Sequence, residues 1–161
     1  RPKKIKRCRL CNATKFEEIF NLGNFFVSNF VDKKFIKMGI KAPLNLIYCK
    51  KCSLLQLDCS APQEIMYRRF YWYRSGVTST MIKGLKDIFD SVEKLNLLKK
   101  GDVVLDIGAN DGTLLKNFKN KYITIGCEPA KNLEKELKKN CHFVINNFWD
   151  KKYLETIKKK K

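Results

Sequence analysis

Four cysteines in two CxxC pairs form the clearest metal-ligating pattern in the sequence. Cys8 and Cys11 make one pair, Cys49 and Cys52 the other, and 37 residues separate them. A two-residue spacer lets both sulfurs of a tight turn face one ion, so two such turns supply the four thiolates of a tetrahedral zinc site. Two disulfides or a redox pair are the alternatives, but no feature indicates an oxidising compartment and neither pair follows the strand of a βαβ unit. Because the protein fills all four positions, we predict a structural zinc site.

The other cysteines and the single histidine lack this spacing. Cys127 and Cys141 are predicted to be small buried side chains, Cys59 has no assigned role, and His142 is interpreted as a surface or core residue and not as a ligand.

A second pattern lies where a strand-like run ends at Asp106 and is followed by Gly108, Asn110 and Asp111. Glycine lets a ligand approach the backbone, and Glu128, 20 residues after Gly108, could accept hydrogen bonds from ribose hydroxyls. The turn is not GxGxxG, and Asp111 would repel a pyrophosphate. S-adenosylmethionine (SAM) has no phosphate and carries a cationic amino group and a sulfonium, so the acidic turn favours SAM over a dinucleotide. Plain turn geometry and helix capping are the alternative explanation.

The elements around this turn have the order β-α-β-α-β. Strands are predicted at 103–108, 122–128 and 143–145, a helix follows the first turn, and Pro129 opens the turn into a helix over 132–139. This order predicts a parallel sheet of Rossmann type. An amphipathic helix is expected before it, capped by Ser79 or Thr80 and ended by Gly101.

The N-terminal part is short, irregular and β-rich, and it is too small to hold a good core without metal. Its expected apolar anchors are Phe20, Leu22, Phe25, Phe26, Phe30 and Phe35, and a strand is expected at Leu54, Leu55 and Leu57. We divide the chain into a zinc-binding domain (1–60), an aromatic linker (61–77) and a partial Rossmann-like SAM-binding methyltransferase domain (78–161), an α/β protein overall. The linker aromatics either pack between the modules or partly line a ligand site.

The net charge of +18 does not by itself indicate nucleic acid. Ten basic residues lie in 1–10 and 158–161, and 28 of the 34 basic residues are Lys, whereas bidentate phosphate and base contacts favour Arg. A/T-rich codons explain the lysines equally well. No apolar run approaches the ~20 residues of a membrane span and no signal peptide opens the chain, so we expect a cytoplasmic protein with neither membrane nor nucleic acid as partner.

Four stretches together resemble the SAM-dependent sugar C-methyltransferases that have an N-terminal zinc-binding domain. They are Cys8-Arg-Leu-Cys11, the run from Pro43 through Cys49 and Cys52 to Gln56-Leu57, Tyr73-Arg-Ser75-Gly76, and the run Asp106-Ile-Gly-Ala-Asn-Asp-Gly-Thr-Leu-Leu115. The resemblance implies methyl transfer from SAM to a carbon of a nucleotide-linked keto-sugar, as in deoxysugar biosynthesis. The expected cofactor-binding residues are Tyr73, Ser75, Asp106, Gly108, Asn110, Asp111, Glu128 and Pro129, with Tyr73 also helping to move a proton at the sugar.

The chain opens with Arg and closes on a lysine run, so we expect a fragment. The resemblance places the catalytic His beyond Lys161, and the chain alone is therefore expected to be incomplete and inactive. The competing hypothesis is a zinc-ribbon module that binds nucleic acid. The nucleic-acid hypothesis assigns no role to Glu128 or to the run from Asp106 to Gly112.

Overall fold

The chain forms two compact units, Arg1–Met66 and Tyr67–Lys161, in a computed structural model that describes residues 2–27 and 33–158. The boundary falls inside the segment 61–77 that the sequence predicts as a linker. Strands and helices are both present, so the chain is an α/β protein. No helix in the described ranges is long and apolar enough to cross a membrane.

The first unit is built from antiparallel strands. Its sheet has the order β2-β3-β4, and a separate two-stranded ladder joins β1 to β5. The elements are β1 (Lys3–Lys4), β2 (Phe16–Phe26), a 3₁₀ turn (Lys33–Met38), β3 (Lys41–Cys49), β4 (Leu55–Leu57) and β5 (Cys59–Ser60), followed by a π-helical turn (Glu64–Arg68). The strand expected around Leu55 is thus confirmed.

The expected apolar anchors of this unit are not buried. Phe20, Leu22, Phe25 and Phe26 all lie in β2 and are between 47% and 54% exposed. The prediction of a core at these residues is wrong because β2 is an edge strand that pairs with β3 alone, and a small sheet leaves much of its surface uncovered. Phe30 and the side chain of Phe35 lie outside the described residues.

The second unit has a three-stranded parallel sheet in the order β6-β7-β8. Its elements are a 3₁₀ turn (Ser75–Val77), α1 (Ser79–Lys94), β6 (Val103–Ile107), α2 (Thr113–Phe118), β7 (Ile123–Cys127), a 3₁₀ turn (Lys131–Leu133), α3 (Glu134–Asn140), β8 (Phe143–Ile145) and α4 (Tyr153–Lys158). The predicted β-α-β-α-β order is confirmed to within two residues at most boundaries. Because the strands are parallel, the loops that follow β6 and β7 leave from the same edge of the sheet.

The helix before the sheet begins and ends earlier than expected. Thr78, and not Ser79 or Thr80, is the N-cap, and its hydroxyl accepts a hydrogen bond from the backbone N–H of Met81. The helix ends at Lys94, because Asn96 adopts a left-handed conformation with φ of 51° before Gly101 is reached. Asn tolerates this conformation, so it can end a helix where a glycine would otherwise be required.

The core of the second unit lies between the sheet and the helices α2 and α3. Ala109, Leu115, Leu137 and Cys141 form a buried cluster, with Val104 and Val144 packed against it. Cys127 and Cys141 are buried, as predicted, and Cys59 is buried in the first unit. This packing fixes the ends of β6 and β7, from which the candidate site projects.

Candidate functional site

The four cysteines of the two CxxC pairs converge in the first unit. Their sulfurs all lie within 4.8 Å of one another. The Sγ atoms of Cys8 and Cys52 are 3.6 Å apart, as are those of Cys11 and Cys49. Zn–S bonds of about 2.3 Å place the sulfurs of a tetrahedral site about 3.8 Å apart, so the residues present fit a zinc ion. The predicted ligand set is therefore brought together.

Both cysteine pairs lie in turns of the same construction. Asn12 and Ser53, each directly after the second cysteine of a pair, have φ of 60° and 61°. The N–H of Asn12 donates to the carbonyl of Cys8 at 3.1 Å, and that of Ser53 donates to the carbonyl of Cys49 at 2.9 Å. These bonds close each turn around its two sulfurs, so that both sulfurs of a pair face the same point in the folded unit.

A glutamine and an arginine brace the metal centre from outside. The buried side chain of Gln56 donates from Nε2 to Cys8 Sγ at 3.2 Å. Its Oε1 accepts from both the backbone N–H and a guanidinium N–H of Arg9, each at 3.2 Å. Arg9 also donates to the carbonyl of Leu57 and to Ser60 Oγ. Sequence reasoning noted Gln56 only as part of a motif, because its contact with Cys8 spans 48 residues.

The thiols differ in how readily they ionise. The backbone N–H of Cys11 is the main influence on Cys8 and lowers the pKa of its thiol to about 6. The backbone N–H of Cys52 is the main influence that lowers the pKa of Cys49. For Cys52 the N–H of Leu54 acts to lower the pKa, but burial and the neighbouring thiols raise it to about 12. Thus backbone donors favour the thiolate forms of Cys8 and Cys49, and a zinc ion, if bound, would require the Cys52 thiol to lose its proton.

A second cluster of predicted residues lies at the carboxyl ends of β6 and β7. The N–H groups of Gly108 and Ala109 both donate to the carbonyl of Cys127, at 2.8 and 3.2 Å, so the loop after β6 runs beside the end of β7. Glu128 is the next residue after β7 and is only 6% exposed. The acid and the glycine that the sequence singled out are therefore neighbours in space.

The Glu128 carboxylate joins the two loops. Its Oε2 accepts from the backbone N–H of Asn110 at 2.9 Å, and its Oε1 accepts from the backbone N–H of Ala130 at 2.8 Å. Pro129, which lies between Glu128 and Ala130 in the chain, is half-buried. Each carboxylate oxygen has a second lone pair, so Glu128 could still accept a ligand hydroxyl while holding the loops together.

The carboxyl groups of Asp106 and Glu128 lie near each other at this edge. Burial raises the pKa of Asp106, and the nearby charge of Glu128 raises it further. Within the described ranges no Lys or Arg forms an ion pair with either carboxylate. A cationic ligand would offset the repulsion, and this donor set therefore suits SAM better than a pyrophosphate.

Gly108 leaves room at the turn for a ligand. Its φ is 84°, a conformation that side-chain-bearing residues rarely adopt, and a methyl group added there would have no atom within 4 Å. The backbone is thus accessible from the side where a Cβ would project.

The side chains of Asn110 and Asp111 bind the backbone of the segment before α1. Asn110 Oδ1 accepts from the N–H of Ser75 at 2.9 Å and its Nδ2 donates to the carbonyl of Tyr73 at 3.1 Å. Asp111 Oδ2 accepts from the N–H of Gly76 at 2.7 Å, and Oδ1 accepts from the hydroxyl of Thr113 at 2.6 Å. The structure thus brings Tyr73 and Ser75 to the edge of the sheet through their backbone, with the Tyr73 ring 44% exposed.

Asn132 is a residue of this cluster that sequence reasoning missed. Its Oδ1 accepts from the N–H of Tyr71 and its Nδ2 donates to the carbonyl of the same residue, both at 2.9 Å. His142, by contrast, lies at the other end of the sheet region, where its Nδ1 accepts from the N–H of Thr124 at 3.1 Å. His142 is exposed and outside both clusters, in line with its interpretation as a surface residue.

Comparison with known proteins supports the metal centre and the class of protein. Residues 8–67 match the model of a family named for methyltransferases and described as a zinc-binding domain. The chain is also similar to the C-methyltransferase NovU of Streptomyces niveus, with 25% identity over 133 residues that cover 80% of this chain and 31% of NovU. The chain therefore spans about a third of the length of this relative. These similarities support a methyltransferase-associated zinc-binding module at the N-terminus.

Proposed function

We propose that this chain comprises the zinc module and the cofactor-binding part of a SAM-dependent C-methyltransferase that acts on a nucleotide-linked keto-sugar. The carrying observation is the open turn at Gly108 near the carboxylates of Asp106 and Glu128, which form no ion pair with a Lys or Arg of the described ranges, in a chain whose first unit holds four converging cysteines. The parallel order β6-β7-β8 is the order expected for half of a Rossmann-type sheet. The similarity to NovU supports the methyl-transfer chemistry, and the motif resemblance supports the sugar.

The chain's residues have distinct parts in this proposal. SAM, when bound, supplies an electrophilic methyl group on a sulfonium. Glu128 accepts hydrogen bonds from the ribose hydroxyls, Gly108 lets the cofactor approach the backbone, and Asp106 lies where a positive charge is stabilised. Tyr73, whose phenol can both donate and accept a proton, is the candidate for proton handling at the sugar.

The zinc centre has a structural part in the same proposal. Four protein ligands leave no open position for a substrate, so the metal would hold the first unit folded. The seven cysteines all lie in the described ranges and form no disulfide, and we assign the protein to a reducing compartment such as the cytoplasm.

The test is calorimetric titration of the chain with SAM, using two matched glycine variants. Gly108 and Gly101 both have positive φ, 84° and 89°, and a methyl group at either position meets nothing within 4 Å. Gly108→Ala and Gly101→Ala therefore carry a similar conformational cost of about 1 kcal/mol. Only the methyl group at residue 108 would enter the proposed cofactor space, so we expect Gly108→Ala to weaken SAM binding by about tenfold or more and Gly101→Ala to leave it unchanged.

Two results would contradict the proposal. The first is an absence of saturable SAM binding to the wild-type chain. The second is an equal change in SAM affinity for Gly108→Ala and Gly101→Ala, which would mean that the cofactor does not bind beside Gly108. Binding to duplex DNA that persists at moderate salt would instead favour the nucleic-acid-binding module.

A further inference from the structure

We term residues 71–76 the strap; this segment leads out of irregular chain into the first residues of a 3₁₀ turn. It crosses the same edge of the sheet at which the loops after β6 and β7 emerge, and its last residues enter the 3₁₀ turn Ser75–Val77. Arg74 has extended backbone angles of φ −128° and ψ 125°. A segment outside any sheet must find other partners for its backbone donors and acceptors.

Three side chains supply those partners, and all of them bind strap backbone. Asn132, which follows β7, exchanges two hydrogen bonds with Tyr71 at one end of the strap. Asn110, which follows β6, binds the carbonyl of Tyr73 and the N–H of Ser75 near the other end. Asp111 accepts from the N–H of Gly76. We call Asn110, Asp111 and Asn132 the anchor residues; together they make five hydrogen bonds to the strap.

The anchor residues are themselves held by the turn that would contact the cofactor. The backbone N–H of Asn110 donates to Glu128, and Asn110 has φ of 52°. The second oxygen of Asp111 is occupied by the N–H and hydroxyl of Thr113. Asn110 and Asp111 are each at most 8% exposed, and their side-chain atoms take part in these bonds. Strap docking and the geometry of the turn therefore depend on the same groups.

The fit at the end of the strap is close. A methyl group at Gly76 would lie 2.7 Å from Thr113 Oγ1 and 3.0 Å from Asp111 Oδ2, both shorter than van der Waals contact allows. Glycine is therefore needed at this position for the strap to approach the loop after β6. Arg74 forms an ion pair with Glu136 at 3.7 Å, which adds a contact between the strap and α3.

We propose that Asn110, Asp111 and Asn132 are positioning residues that clamp residues 71–76 as one cooperative unit across the carboxyl ends of β6 and β7, so that a cofactor beside Gly108 is retained only while the strap is docked. The part of this proposal that concerns the cofactor depends on the proposed function. The cooperative strap depends only on the contacts given above. A ligand that binds the docked state better shifts the population toward it, so SAM is expected to protect the strap from opening.

The decisive variant is Asn132→Ala, read out at the opposite end of the strap. Amide hydrogen exchange is measured without SAM at Ser75 and Gly76, neither of which contacts Asn132. If the strap opens as a unit, losing the two Tyr71 bonds increases exchange at both distant amides by about tenfold. The matched control is Asn117→Ala, because the side-chain amide of Asn117 also binds backbone carbonyls but does so within its own helix α2.

A second variant perturbs the strap from its other end, and exchange in β7 checks that the fold is retained. Gly76→Ala leaves all three anchor residues in the sequence and places a methyl group against Asp111 and Thr113, so exchange should rise at Tyr71 as well. Exchange at Ile125 in β7 must remain at its wild-type rate in all variants, which shows that the sheet is intact. If Asn132→Ala alters only the Tyr71 amide, or if Gly76→Ala leaves Tyr71 protected, the strap is not one unit and the proposal is overturned.

Measurements in the presence of SAM distinguish failure of this proposal from failure of the proposed function. We expect SAM to slow exchange at Ser75 and Gly76 in the wild-type chain, and Asn132→Ala to speed SAM dissociation by about tenfold. If the wild-type chain binds no SAM, the proposed function fails while the exchange result still decides the cooperative strap. If SAM binds wild type and Asn132→Ala with the same dissociation rate, the clamp has no part in cofactor retention and that part of the proposal is wrong.

Discussion

The side-chain amide of Gln56 donates a hydrogen bond to the sulfur of Cys8 across 3.2 Å, from a strand 48 residues later in the chain. Gln56 lies in β4, and its carbonyl oxygen is fixed by two N–H groups of Arg9. The orientation of the amide is thereby set, so that its N–H and not its oxygen faces the sulfur. A donor aimed at a thiolate reduces the charge repulsion among the four sulfurs of a metal centre.

Gln56→Ala is expected to weaken zinc binding, because Cys8 loses this donor and Arg9 loses its acceptor. Replacement of a group outside the ligand set usually lowers metal affinity by roughly 10–100-fold. The measurement is competition with a chromogenic chelator at fixed pH. Gln63→Ala is the control, since Gln63 is exposed. Equal affinities of the two variants would show that the hydrogen bond to Cys8 does not tune the site.

Metal removal is expected to unfold the first unit and to spare the second. Among the described residues of the first unit, the buried apolar side chains are Cys8, Ala42, Ile47, Cys49 and Cys59. So little buried apolar surface cannot offset the conformational entropy of the chain, and the metal must supply the difference. Hydrogen exchange after chelation should therefore rise throughout β2–β4, while β7 stays protected. Retained protection of β3 in metal-free protein would contradict this expectation.

Two cysteine variants check the same centre from the ligand side. Cys52→Ala removes a predicted ligand, and we expect it to abolish stoichiometric zinc in metal analysis of reduced protein. Cys59→Ala removes a buried cysteine outside the ligand set and should leave the metal content unchanged. Loss of zinc from both variants would indicate that unfolding, and not ligation, governs the metal content.

Glu93 is expected to give the second unit a pH-dependent contribution to stability. It accepts hydrogen bonds from Lys121 and Tyr122, which link the end of α1 to the loop before β7. Lys121 and then Tyr122 lower the pKa of Glu93, so its stabilisation is present above the ordinary Glu pKa of about 4.3 and is lost as the pH falls through the lower folded-state value. Glu93 in turn raises the pKa of Tyr122, so that contribution is present below about pH 10 and is lost at higher pH.

The variant Glu93→Gln tests this pH dependence in urea unfolding of the second unit. At pH 7 it should have a lower unfolding free energy than wild type, and the difference should shrink below about pH 4. Asp87→Asn breaks the exposed pair with Lys83 on the same helix and should have a much smaller effect at pH 7. If the difference in unfolding free energy between wild type and Glu93→Gln stays constant from pH 7 to strongly acid solution, the ion pair is not its cause.

The sequence predicts the parts of this protein that depend on local geometry. CxxC spacing is enough to place two sulfurs on one turn, and the end of β6 is marked by the passage from apolar residues to Gly108 and Asn110. The positions of the strands β6, β7 and β8 follow from short apolar runs bounded by turns.

Other features depend on contacts between distant segments. The apolar content of Phe20 and Phe25 suggests burial, but whether a strand face is covered depends on which element packs over it. Asn132 looks like an ordinary residue at the start of a helix, and only the fold brings it to Tyr71, 61 residues earlier. The hydrogen bonds that Asp111 accepts from Gly76 and Thr113 likewise cannot be inferred from its position in the sequence.

The close approach at Gly76 has a consequence for how this sequence can diverge. A larger residue at position 76 requires a smaller one at 113, or a shift of Asp111, before the strap can dock again. The substitution at position 76 and the compensating change at 113 or 111 would each weaken strap docking when made alone. We therefore expect relatives to carry such substitutions in pairs. Positions 76, 111 and 113 should therefore covary among relatives, even though the first and second lie 35 positions apart in the chain.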